Sequence, residues 1–193
     1  MEINTQEEVK KRTLFTNKRN IFILIGLLLF IVIVVSVVSI NNAKHEKEEY
    51  SKQMNSAVTT MLESGTKAEK IGNQYAEAWS KAISGVYVLN GERYSDFNNA
   101  ISAVSKYNKS YISEIWVSEE EVDATMKKLQ NPPKEFEDAY NELTELYKVY
   151  KKYVDLCTTP KGSLITYNST RNELSSDFVS LKDSVELKIP DIK

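Results

Sequence analysis

Cysteine and histidine each occur once in this 193-residue chain, as Cys157 and His45. One cysteine excludes an internal disulfide framework and the usual cysteine-based zinc site. One histidine removes most metal and acid–base constellations, and a di-iron helical centre, which needs two Glu-x-x-His pairs, cannot be assembled. Six glycines and four prolines leave little room for a turn-rich β fold. Positive charge is not in excess either. Twenty-five Lys and Arg face 27 Asp and Glu, for a net charge of −2, which excludes a strongly basic nucleic-acid binder. No nucleotide-binding loop, nucleophile elbow, zinc pattern or dinucleotide fingerprint is present. The residues predict no cofactor, no metal and no catalytic set.

The mean hydropathy of −0.39 suits a soluble acidic domain, but that average conceals three unlike parts. Ile21 to Ile40 reads IFILIGLLLFIVIVVSVVSI, twenty residues with no charge and no proline. At about 1.5 Å per residue a helix of this length matches the roughly 30 Å hydrocarbon core of a bilayer. A strand is excluded by length, since strands rarely exceed about ten residues. The predicted element is a transmembrane helix over residues 21–40. A cleaved signal peptide is the rival, but its apolar region would run about 7–15 residues behind a shorter leader.

Orientation follows from the flanks. Lys10, Lys11, Arg12, Lys18 and Arg19 precede the span, whereas Lys44, Lys47 and Lys52 follow it among glutamates. The positive-inside rule therefore predicts a cytoplasmic tail, residues 1–20, and an external part, residues 41–193, in the cell membrane. The tail carries five positive and three negative groups, and residues 41–193 carry twenty against twenty-four. All eleven tyrosines and both tryptophans lie in the external part. Its balance of −4 offers no basic stripe to nucleic acid or anionic lipid.

Beyond Asn41 apolar or small residues recur at 3-4 spacing in four runs, and strand alternation is not evident. The first is Met54, Val58, Met61, Gly65, Ala68, Gly72, Tyr75, Trp79, Ala82 and Val86. Asn90-Gly91 is a turn signal. The second run holds Phe97, Ile101, Val104, Tyr107 or Asn108, Tyr111 and Ile115. Ser118-Glu119-Glu120-Glu121 reads as a capping box, so a break is predicted near residue 117 before Val122, Met126 and Leu129. Asn131-Pro132-Pro133 closes that helix. The third run is Phe136, Tyr140, Leu143, Tyr147, Tyr150, Val154 and Cys157. The fourth is Leu164, Tyr167, Arg171, Leu174, Phe178, Leu181 and Val185. The fold class expected is all-α: one N-terminal transmembrane helix, then an extracytoplasmic antiparallel four-helix bundle with coiled-coil-like heptads. Its helices are expected at about 43–89, 95–130, 133–157 and 163–188, with short connections making neighbours antiparallel.

The candidate sites are few. Cys157 falls on an apolar seam, as a buried small hydrophobe would. His45 sits in a mixed charge cluster and reads as solvated. Glu119, Glu120, Glu121 and Asp123 suit a helix start through the macrodipole. Arg171 is the charged intruder on its seam, expected either to pair with a carboxylate or to snorkel. Asn108-Lys-Ser and Asn168-Ser-Thr match the glycosylation pattern. Tyr153 falls off its seam and is the tyrosine expected at the surface, where aromatic side chains dominate interface energetics. The expected partner contacts are Tyr153 and the tip Asn90, Gly91, Glu92 and Arg93.

These observations predict a non-enzymatic, membrane-anchored interaction or structural protein. Its partners would be the lipid bilayer, an unidentified protein and further copies of itself, with no nucleic acid. A sensory ectodomain signalling through a partner is the alternative reading. An envelope-acting enzyme is a third, with the acidic run as its only equipment.

Overall fold

The computed structural model describes the backbone of residues 3–192 and the side chains of residues 28–36, 39 and 41–192. Side chains of the expected tail and of Ile21 to Leu27 lie outside the described residues. Helices account for 83% of the chain, an all-α protein with almost no sheet. The elements are α1 (Ile3–Ser84), β1 (Tyr87–Leu89), β2 (Glu92–Tyr94), α2 (Phe97–Tyr107), α3 (Lys109–Lys128), α4 (Glu137–Thr158) and α5 (Leu164–Lys188), with a 3-10 turn at Lys134–Phe136 before α4.

The chain divides into two units, residues 1–47 and 48–193. Among the described residues one helix, Leu28–Ser84 within α1, is long enough and contains an 18-residue stretch apolar enough to cross a membrane, with a mean hydropathy of 1.7. None of that stretch is buried; Leu28 is 64% and Phe30 66% exposed.

In the second unit the helices pair in alternating directions, read from the side chains that join them. Tyr50 Oη donates to the Leu129 carbonyl at 2.7 Å and Asn108 Nδ2 to Gln74 Oε1 at 2.6 Å, so α1 runs against α2 and α3. Tyr147 Oη donates to Asp123 Oδ1 at 2.8 Å, and Lys151 reaches Glu119 at 3.2 Å, so α3 runs against α4. Lys188 pairs with Glu142 while Tyr153 and Phe178 stack with ring centres 6.3 Å apart, so α4 runs against α5. A shared core of Met54, Met61, Tyr75, Ile115, Leu129, Phe136, Leu143 and Tyr150 lies between them.

Ends follow local chemistry. Asp96 caps α2 by accepting from the Asn99 amide at 2.9 Å. Ser163 caps α5 by accepting from the Thr166 amide at 3.2 Å, just after Gly162 turns the chain at φ +87°.

Two expectations are corrected. The first helix does not reach residue 89: it stops at Ser84, and residues 87–94 form a hairpin pairing Tyr87 with Tyr94, Val88 with Arg93 and Leu89 with Glu92. Asn90 at φ +49° and Gly91 at φ +83° are the two positive values that a type I′ turn demands. Its twist matches the flanking strands, whose β-branched and aromatic residues favour extended backbone. Gly91→Ala is expected to destabilise the second unit by about 1 kcal/mol, because a Cβ is strained at positive φ; chemical denaturation of the variant checks it.

The break in the second helix is not near residue 117 either. Residues 109–128 are one helix, and Ser118 lies inside it. The interruption falls at Asn108 (φ −94°, ψ 10°), whose amide side chain donates to the Val104 carbonyl at 2.9 Å as well as to Gln74. An asparagine amide competes with the backbone ladder for its own helix's carbonyls. The Ser118–Glu121 pattern leaves the backbone ladder of α3 unbroken, and its Glu119 is engaged by Lys151 of α4 instead.

Candidate functional site

The hairpin places four of the five expected contact residues together. Asn90, Gly91, Glu92 and Arg93 are all exposed around one reversal. The hairpin is closed by contacts between its own two strands. Tyr87 is buried and lies against Tyr94, ring centres 6.5 Å apart. The Tyr94 hydroxyl donates to the Glu92 carboxylate, which raises the Tyr94 pKa. Val88 points the other way and is exposed, alongside exposed Val86 and Ile83. The tip is therefore an exposed polar turn, with exposed aliphatic side chains at Val86 and Val88.

The fifth residue does not belong there. Tyr153 is only 3% exposed and stacks on Phe178. Leu146, also off the expected seam, is buried as well. The reason is the number of neighbours. α4 meets α3 through Tyr147 and Lys151, α5 through Tyr153, and α1 through Tyr150, whose hydroxyl shares a 2.8 Å hydrogen bond with Ser64. A helix with three neighbours buries a wider arc than a two-position seam allows.

Cys157 is buried beside Tyr153, and burial pushes its thiol pKa up to about 12 despite the nearby Arg171. At neutral pH it is a thiol, not a nucleophilic thiolate. Among the described residues Arg171 makes no salt bridge; its guanidinium lies over the Tyr167 ring, 5.6 Å from the centre. Tyr167 Oη in turn donates to the Gly72 carbonyl at 3.1 Å. Cys157, Tyr167 and Arg171 thus converge on Gly72 of α1, where no side chain intervenes.

The acidic run is not a helix start. Glu119 and Asp123 face α4, where Lys151 lies 3.2 Å from Glu119 and 3.5 Å from Asp123. Burial lowers the Lys151 pKa, but the hydrogen bond it donates to Glu119 and the charges of both carboxylates outweigh it, so the net shift is upward. Glu120 and Glu121 are exposed on the opposite side. The run therefore joins two helices and presents no pair of free carboxylates across a cleft. The i,i+4 spacing of Glu119 with Asp123, matched by Tyr147 with Lys151, was the available signal.

His45 is exposed, as its surroundings predicted. Asn108 is 3% exposed and Asn168 is half-buried in α5 with its amide oxygen inside, so neither glycosylation match sits on an exposed loop. Two open grooves occur at the end away from the hairpin. One of about 440 Å³ lies between Ser51–Asn55 and Ile189–Ile192, and one of about 700 Å³ is lined by Glu142, Lys148 and Lys188. Both are shallow and lined by charges of both signs.

No family model, curated protein or solved structure matches this chain. Its function rests on its own residues. They supply an exposed apolar helix stretch and a surface-rich helical unit.

Proposed function

We propose that residues 21–40 anchor the chain in the cell membrane as a single span, with residues 1–20 cytoplasmic and residues 41–193 displayed outside as an antiparallel four-helix bundle. The bundle acts without catalysis, as an interaction or structural component that binds a protein partner through the hairpin tip, residues 90–93. One observation carries the reading: the apolar stretch of α1 is wholly unburied. Each apolar square ångström left in water costs about 25 cal/mol, and so large a contiguous patch requires a covering phase. The five Lys and Arg that precede it support the orientation. The alternating helix directions support the bundle. The buried thiol of Cys157 and the Lys151-paired carboxylates support binding over catalysis.

The test has two arms. Fractionation of cells producing the full chain should leave it in the membrane through high-salt and alkaline-carbonate washes, with externally added protease removing the second unit. Recovery in the soluble fraction with a new N-terminus near residue 40 would overturn the anchor. A photo-crosslinking residue at position 90 or 93 should capture one protein reproducibly, and Glu92→Lys with Arg93→Glu should abolish capture. Capture unaffected by that charge reversal would place the contact elsewhere.

A further inference from the structure

One segment of the second unit is bounded at both ends by backbone discontinuities. Residues 86–107 comprise the hairpin and α2, and α2 packs on both strands. Before this segment lies Gly85, at which an added side chain would meet nothing within 4 Å. After it lies the Asn108 break. Both ends are thus places where the chain can turn without tearing a packed helix.

It attaches to the rest of the unit through a buried strand residue, Tyr87, and one short helix. α2 has eleven residues and buries two of them, Ala100 and Val104, whereas α4 buries eight of 22. An isolated helix shorter than about 12–15 residues is not stable in water. Tyr87, Ala100 and Val104 are buried in the core, and Leu89, Tyr94, Phe97 and Ile101 pack against it. Phe97 lies on Trp79 with ring centres 5.0 Å apart, and at the end of the segment Asn108 donates to Gln74 at 2.6 Å. Beneath it Trp79 continues onto Tyr167, ring centres 5.8 Å apart, so the segment covers an aromatic floor.

We propose that residues 86–107 form a hinged cap that pivots at Gly85 and Asn108, is latched by the Asn108–Gln74 hydrogen bond, and opens as a unit to bare Trp79, Tyr75 and Tyr167. Opening unpacks Tyr87, Ala100 and Val104 from the core and leaves the α4–α5 pair intact. Such sub-global openings are the low-stability end of a folded unit. The inference is independent of the membrane reading, since it concerns only the second unit.

Native-state hydrogen exchange on the full chain in detergent micelles tests it. The amides of α2 should exchange about tenfold or more faster than those of α4, and Gln74→Leu should widen that gap by about tenfold through loss of the latch. In a Trp116→Phe background, Trp79 fluorescence should become more accessible to acrylamide in parallel, because Trp79 is 8% exposed and Trp116 54%. Equal exchange of α2 and α4, with the same denaturant dependence, would show that the segment opens only on global unfolding and would overturn the cap. If Gln74→Leu does not fold, the comparison of α2 with α4 in the unaltered chain still decides the question. Acceleration of both helices alike by the substitution would remove the latch.

Discussion

Gly72→Ala lowers the stability of the second unit by about 2 kcal/mol, and Gly65→Ala, seven residues earlier on the same helix, raises it by about 0.5–1 kcal/mol. Both glycines lie inside α1, and an alanine there gains helix propensity. The opposite signs come from what each new methyl group meets. At Gly65 the nearest atoms are on the Phe178 ring, 3.6 and 3.7 Å away, which is ordinary contact. At Gly72 the same methyl would lie 3.0 Å from Cys157 Sγ, 3.0 Å from Tyr167 Oη and 3.3 Å from Arg171 Cδ. Those three atoms belong to two helices packed closely on each other, so one helix cannot retreat without dragging its neighbour. Any retreat of Tyr167 also breaks its hydrogen bond to the Gly72 carbonyl. Gly72→Val sets two further methyl groups on that Cβ and should cost more still. Urea titrations of the three variants read the result directly. A neutral or stabilised Gly72→Ala would show that the three helices do not meet there.

The same residues show how far the fold was legible. Recurrent 3-4 spacing and strong punctuation were enough for α5, which begins at Leu164 behind the Gly162 turn and Ser163 cap and ends at Lys188, two residues before Pro190. Asn90-Gly91 had to be exposed, because a turn with two positive φ values has its backbone at the surface. What the pattern could not carry was tertiary. Three residues of extended backbone on each side of that turn are too short for period-2 alternation to stand out against helical spacing. The break at Asn108 depends on Gln74, 34 residues earlier, coming within hydrogen-bond reach. Tyr153 is buried because α4 has three neighbours, and a seam drawn on one helix counts only one. Of the candidate site, the turn was readable from local chemistry; the tyrosine required the packing.

Raising the pH above about 10 is expected to unfold the second unit cooperatively, well before the backbone itself is affected. Burial pushes the Tyr150 hydroxyl up to about 12, as it does the Cys157 thiol, and raises Tyr153 and Tyr167 as well. In the unfolded chain these groups ionise near 10 for tyrosine and 9 for cysteine. Between those values and the folded ones, the folded state binds more protons than the unfolded state. Stability therefore falls as pH rises, by about 1.4 kcal/mol per pH unit for each group fully within its window. The contribution is complete below about pH 9 and is lost progressively toward pH 12. Four groups acting together exhaust the 5–15 kcal/mol stability typical of a domain within that interval. Circular dichroism and tyrosinate absorbance, followed together against pH, should change in one coincident transition. Tyr150→Phe should flatten its slope by one proton, although the Ser64 hydroxyl then loses its 2.8 Å partner. Helix content retained after complete tyrosinate formation would mean that these hydroxyls reach water in the folded chain, and the packed aromatic core would have to be redrawn.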